Sequence, residues 1–341
     1  MLPKKINEKA LLIGNGINRA INNDVKSWEN LLEDIAKSFD VSVDLENEFK
    51  PFPLTFEEIL FKSPKSQEDF DLTLRRIKEK IAEVFANTPS NELHKKVVNS
   101  GIKNILTTNY DYAFEKAIIP NFQNEEDYAV KSTDETLNSI KRRIMFKEKI
   151  VKNYEIAKKL NIWHIHGEIQ QRLSPSKLKT TSRANSILIG YEHYGGYLAK
   201  IQNYVKGNKK KQNRSIFENI EDNFYVSTSW IDFFFMKELH IFGISYDFSE
   251  QHLWWLLNYR AKQIKRNKIR KVNSIYYYYS VFPEKDHGDT PKYVKQLSKK
   301  KKNKAKIDLF KSLGVETVPI KIKNDNHKDY FNQVLKRIEN Y

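Results

Sequence analysis

Seven short runs of apolar residues punctuate the chain: Ala10–Gly14, Asn104–Asn109, Asn161–Gly167, Ser186–Gly190, Leu239–Ser245, Ser274–Ser280 and Val318–Ile322. Most are continuous rather than alternating, the pattern of strands covered on both faces. Pro319 has no N–H for a ladder, which places the last run at a sheet edge. Between the runs the period changes to that of a helix. Trp28, Leu31, Leu32, Ile35 and Phe39 share one face behind Ser27 as N-cap. Phe70, Leu74, Ile77, Ile81 and Phe85 do the same, and residues 93–100 form a helix that Gly101 stops. Helices are also expected around Leu253–Leu257 and over Lys328–Ile338. Strands alternating with helices predict a doubly wound α/β fold.

Two long stretches break this alternation, one charged (115–160) and one aromatic and lysine-rich (194–230). They are read as insertions that form a helical module. The remaining segments, 1–114, 161–193 and 231–341, make a Rossmann-like parallel sheet with helices on both faces. The aromatic-rich stretches Tyr191–Tyr204 and Tyr225–Phe235 either fill the core of that module or offer interface surface for a homo-oligomer or partner protein.

Composition narrows the picture. With 341 residues, 40% hydrophobic and 30% charged, the chain can bury a sizeable core beneath a charged surface. It has no cysteine, which excludes disulfides and cysteine-ligated zinc. No apolar run has the length of a signal or membrane segment, so a cytoplasmic protein without membrane contact is expected. The formal charge of +16 permits nucleic-acid binding without requiring it. Much of the excess lies in the lysine runs 209–211 and 299–302; these, and the low-complexity stretch Lys299–Lys306, are read as solvated loops.

Candidate chemistry gathers where strands end. Gly14-Asn15-Gly16-Ile17-Asn18 follows the first strand; two glycines there suit a pyrophosphate cradle or an ordinary tight turn. The full dinucleotide fingerprint is missing, since its third glycine position holds Arg19. Thr107-Thr108-Asn109-Tyr110-Asp111 ends the second strand, with Asn109 and Asp111 facing a ligand or capping the next helix. Trp163-His164-Ile165-His166-Gly167 sets both histidines on one side of a strand. Either can be a satisfied structural histidine; of the two, His166, at the strand end, suits general-base work, and His164 lies deeper. No third ligand follows at a zinc spacing, so no metal is expected. Gly243-Ile244-Ser245, with Asp247 and Glu250 beyond, fits a ribose or phosphate contact or a plain strand-to-helix loop.

Taken in order, these four segments resemble the SIR2-like family. Sirtuin-type proteins carry a glycine loop, a T-Q-N-x-D segment, an H-G histidine and a later G-x-S segment. The chain has Gly14-Asn15-Gly16, Thr108-Asn109-Tyr110-Asp111, His166-Gly167 and Gly243-Ile244-Ser245. The segments 27–32 and 53–58 resemble the bacterial branch tied to phage defence. The four zinc cysteines of protein-deacylating sirtuins are missing, which counts against acyl-lysine removal, and Thr108 stands where their motif has glutamine. The resemblance implies an NAD glycohydrolase that releases nicotinamide and ADP-ribose and arrests an infected cell. It would act as an oligomer or with a second defence protein. It assigns catalysis to Asn109, His166 and Asp111, and NAD binding to Gly14, Asn15, Gly16, Asn18, Thr108, Gly243 and Ser245. The alternative is a silent NAD or ADP-ribose sensor acting through a partner.

Overall fold

A computed structural model describes residues 8–22, 25–45, 50–64, 69–118, 145–147, 160–169, 187–207, 214–221, 229–266, 268, 273–281, 291–322 and 326–340. Seven strands form one sheet: β1 (Lys9–Ile13), β2 (Asn104–Thr107), β3 (Met145–Lys147), β4 (Asn161–His164), β5 (Glu238–Phe242), β6 (Ile275–Val281) and β7 (Glu316–Lys321). Their order is β3-β4-β2-β1-β5-β6-β7. Six run parallel, and β3 alone is antiparallel, at one edge against β4. Counted along the chain, the six parallel strands lie in the order 3-2-1-4-5-6. That is the doubly wound Rossmann arrangement, with its switch point between β1 and β5.

Period-two alternation along these strands divides the core. Ala10, Leu12, Leu106, Trp163, Leu239, Ile241 and Tyr277 point to one face. Leu11, Ile13, Ile105, Ile162, Phe242 and Tyr278 point to the other. The helices, in chain order, are α1 (Gly16–Arg19), α2 (Trp28–Ser38), α3 (Phe52–Lys62), α4 (Phe70–Ala86), α5 (Glu92–Asn99), α6 (Ala113–Ile118), α7 (Tyr191–Lys206), α8 (Ile216–Glu221), α9 (Phe233–Met236), α10 (Gln251–Lys265), α11 (Pro291–Ser312) and α12 (His327–Glu339). The first face is covered from α7, α9 and α10, through Ile201, Phe234 and Leu256, and by Phe310 of α11. The second is covered from α5 and α12, through Leu93, Val97, Phe331 and Val334. Helices α2, α3 and α4 form a third cluster, closed by Tyr110, Tyr112, Ile187 and Ile189. Ser27 caps α2 as its sequence predicts, its Oγ accepting from Asn30 N at 3.2 Å.

Several expectations need correction. Residues 187–190 form no strand; the Leu188 backbone is held by His166 and Tyr110 instead of a ladder neighbour. Short β3 was not foreseen, and it joins the main sheet from within the charged stretch. The aromatics Tyr194, Tyr197, Trp230, Phe233, Phe234 and Phe235 are buried, and all but Tyr194 lie in the sheet's own core cluster. They supply no surface. The stretch Lys299–Lys306 is helix, the middle of α11, and Lys306 is buried. Lys209–Lys211, Tyr225 and most of 115–160 lie outside the described residues. Among the described residues no helix is long and apolar enough to cross a membrane.

Candidate functional site

In doubly wound sheets ligands sit beyond the carboxyl ends of the strands. The loops leaving β1, β2, β4 and β5 gather there because those four strands are neighbours.

The β1 and β5 loops touch backbone to backbone. Gly16 N donates to Gly243 O at 2.9 Å. A Cβ on Gly16 would stand 2.7 Å from Gly243 O, and one on Gly14 would stand 2.8 Å from Ile244 Cβ. Gly243 itself has φ +65°, and a Cβ there would meet Phe331 Cζ at 2.8 Å. Close packing of chain on chain therefore demands all three glycines. The described reason is a fused pair of loops, and the space beside these Cα atoms is filled by protein.

The next layer is polar and buried. Asn18 Nδ2 donates to Asp111 Oδ2 at 2.7 Å and to Asn15 Oδ1 at 2.9 Å. Asp111 Oδ1 accepts from Ala113 N at 2.9 Å, capping α6. Burial raises the Asp111 carboxyl above its ordinary range, although the bonds from Ala113 and Asn18 favour its charge. Thr108 N reaches Ile13 O at 3.3 Å, tying the β2 exit to β1.

Asn109 stands apart. It is buried, its N–H donates to Thr107 Oγ1 at 3.1 Å, and its carbonyl oxygen lies 3.0 Å from His164 Nδ1. Among the described residues, neither its side-chain oxygen nor its side-chain nitrogen has a hydrogen-bond partner. Natural proteins rarely leave both ends of a buried amide unmet, so such a group calls for a partner from outside the described residues. His164 lies beneath it, with Nε2 2.7 Å from Glu115 Oε1. Burial works against the charged ring. The Glu115 carboxylate more than offsets this and holds the His164 pKa up at about 9. His164 is thus a buried imidazolium that fixes the Asn109 backbone.

His166 leaves β4 just as Asn109 leaves β2, each two residues beyond the paired Thr107 and His164. It is buried, and its Nε2 lies 3.1 Å from His252 Nε2 and 3.2 Å from Glu250 Oε2. Both partners come from the start of α10. The His252 ring stacks on Tyr194 with centroids 5.4 Å apart, and Tyr194 also meets His166 edge-on at 5.7 Å. Burial, reinforced by His166, pushes the His252 pKa well below the usual histidine value, so its ring is neutral. His166, Glu250 and His252 each bring a potential ligand atom within 4.8 Å of the others.

Ser245 is exposed, and its carbonyl accepts from the buried Lys306 Nζ. Burial brings the Lys306 pKa down to about 8. The following Tyr246 is fully buried with φ +50°, a strained conformation for a bulky residue, and Trp254 and Phe310 box in its ring.

Of the residues marked in the sequence, the structure joins Asn15, Asn18 and Asp111 directly. It sets Thr108, Asn109 and His166 on adjoining strand ends, and Gly14, Gly16 and Gly243 in one packed corner. Ser245 has no bond to any of these. His252 was missed, and Glu250 was noted only as a carboxylate near a strand end. The available signal was the pairing of Glu250 with His252 in the first residues of a helix that follows a glycine-ended strand. A cleft of about 390 Å³ opens at the opposite end of the sheet, between Lys9, Lys103, Asn104 and Ile338. It lies at strand starts, away from every residue of this cluster.

Six parallel strands in this order, with polar loops at their carboxyl ends, define a doubly wound α/β protein. The SIR2-like domain model matches residues 103–278, half of the chain, and the chain belongs to that family. The matched span includes Asn109, His166, Gly243, Glu250 and His252 and leaves out the Gly14–Asn18 loop. No curated protein matches the chain. Family membership brings NAD-linked chemistry at the family level; SIR2-like domains bind NAD.

Proposed function

We propose that the chain is an NAD glycohydrolase, splitting NAD into nicotinamide and ADP-ribose. The observation that carries the reading is the Asn109 side chain, buried with both polar atoms unmet at the end of β2. An amide donor and acceptor in that position suit ribose hydroxyls or a water molecule, and the residues present therefore fit the ligand. Gly14, Asn15, Gly16 and Asn18 on one side, with Thr108, Gly243 and Ser245, border the nucleotide.

The bond between nicotinamide and ribose breaks with both electrons leaving on the ring nitrogen, so positive charge grows on the sugar. Nicotinamide leaves neutral and needs no acid. Water adds to the sugar carbon and gives up one proton. His166 accepts that proton, a contribution of about two to four powers of ten in rate. Asn109 orients the hydroxyls or the water. Asp111, held by Asn18, steers the forming cation or the nicotinamide amide. Burial keeps bulk water out of the rest of the site.

The role that suits this activity is arrest of an infected cell by NAD depletion, acting as an oligomer or with a partner protein. Its support is the likeness of segments 27–32 and 53–58 to the phage-defence branch. Those segments also serve the site: Trp28 meets Tyr110 edge-on at 5.3 Å, and Glu57 accepts from Tyr191 N at 2.8 Å. The test is release of nicotinamide and ADP-ribose from NAD by the purified chain, alone and with candidate partners. Turnover by wild type that is lost in Asn109→Ala and His166→Ala supports the reading. Tight NAD binding with no release under any condition replaces it with the sensor.

A further inference from the structure

His166, Glu250 and His252 converge in a way that a hydrogen-bonded pair alone does not require. The two Nε2 atoms are 3.1 Å apart and the ring centroids 5.0 Å apart. Imidazoles meeting head-on through one N–H would hold their centroids farther off, by a ring radius at each end. Here the rings meet at 63°, an approach equally open to two imidazoles that share one ion. Ligands about 2.0–2.1 Å from a tetrahedral centre stand roughly 3.3 Å from one another. Glu250 Oε2 lies 3.2 Å from His166 Nε2 and 4.0 Å from His252 Nε2, close to the third corner of such a set. That oxygen has no hydrogen-bond partner among the described residues. His166 is 2% exposed and His252 0%, so the point they face is walled by protein, with Tyr194 and Tyr197 packed on the His252 ring.

We infer that His166, Glu250 and His252 form a binding site for a divalent transition metal of the zinc class, and that the metal blocks the enzyme. Two neutral imidazoles and one carboxylate are a ligand set that zinc favours; magnesium and calcium prefer oxygen throughout. Three protein ligands leave one tetrahedral position to water. Occupancy ties up His166, the residue that receives the proton in the proposed reaction. The ion therefore inhibits and is not a cofactor. The inhibition rests on the NAD hydrolase reading; the binding does not.

The experiment is a titration of chelator-treated full-length protein with zinc ion, read by calorimetry and by thermal unfolding in the absence of NAD. One zinc per chain is expected, with a rise in Tm, and no comparable binding of magnesium ion. His252→Ala and Glu250→Gln should each weaken zinc binding by at least about tenfold. Glu250 is partly exposed, so Glu250→Gln decides the matter should His252→Ala fail to fold. No binding by wild type, or undiminished affinity in the folded variants, overturns the site. Where wild type turns over NAD, zinc should suppress nicotinamide release and a chelator restore it. Turnover stimulated by bound zinc overturns the inhibitory assignment. A protein that binds zinc as expected and never cleaves NAD leaves the site standing and removes the hydrolase reading.

Discussion

His164 grips the Asn109 backbone from below: its Nδ1 lies 3.0 Å from the Asn109 carbonyl, while its other nitrogen meets Glu115 at 2.7 Å. Asn109, the residue proposed to face the ligand, is therefore positioned by a buried ion pair one strand away. Removing His164 leaves Glu115 as an uncompensated buried charge, and His164→Ala should cost about 3–5 kcal/mol of stability. Chemical denaturation measures this. The double variant His164→Leu/Glu115→Leu, with no stranded charge, should recover much of the loss. It should still turn over NAD poorly, because Asn109 is no longer held.

The same pair makes stability depend on alkaline pH. The folded pKa of His164, about 9, lies above the ordinary value of 6.5. The folded state thus binds the extra proton, and its stabilisation is complete below pH 6.5. It fades as pH rises through 9. Urea unfolding midpoints measured from pH 6.5 to 9.5 should fall over that window. In Glu115→Gln the decline should shrink. An equal decline in that variant would assign the effect to other groups.

Asn109→Ala should separate activity from stability. The substitution deletes two buried polar atoms that no described residue satisfies, and removing such a group relieves an unpaid desolvation cost of roughly 1–3 kcal/mol. Nicotinamide release should drop by about a hundredfold or more, while Tm stays level or rises. A large fall in Tm would show that the amide has a structural partner.

The glycine corner gives a suppressor test. Gly243→Ala places a Cβ 2.8 Å from Phe331 Cζ at a residue with positive φ. It should cost roughly 1–3 kcal/mol from overpacking, plus backbone strain. Phe331→Leu in the same chain should return part of the stability by making room. Gly16→Ala meets the Gly243 carbonyl oxygen, a backbone atom that cannot step aside, and Phe331→Leu should not rescue it. Thermal unfolding of the four variants distinguishes the cases.

The lysine-rich helix should behave unevenly. Lys301, Lys302 and Lys304 are exposed, and replacing them with glutamine should leave NAD turnover unchanged. Lys306 is buried and donates to the Ser245 carbonyl beside the strained Tyr246. Lys306→Ala should lower Tm and disturb the β5 loop. Replacing the whole stretch with a flexible linker is therefore expected to damage the protein.

Much of this architecture was legible along the chain, because strands buried on both faces must be apolar at consecutive positions. Leu11, Leu12 and Ile13 announce β1 for that reason, and Pro319 announces the edge. The failures also have physical causes. Residues 187–190 carry the same apolar signal, yet they fill the space between Tyr110 and α3, and burial alone does not specify a ladder. Short β3 lies in charged sequence, since three residues at an edge need little hydrophobicity. The Lys299–Lys306 run looked like solvent-exposed loop; Phe310 and Leu313 anchor the end of α11 in the core, and charge on the outer face does not oppose helix. At the site, Asn109 and His166 were visible at strand ends. His252 was not, because only the fold brings the start of α10 to His166 beyond the end of β4, and no local spacing encodes that approach.

The edge strand β7 carries one more consequence. Pro319 and Lys321 point outward and Val318 and Ile320 inward, while Glu316 at the strand start is exposed. A neighbouring molecule seeking to prolong the sheet there would find a missing amide at the middle and a charge at either end. The rim is therefore closed to strand-by-strand growth. The sheet itself gives a crowded cell no template for fibres at that side.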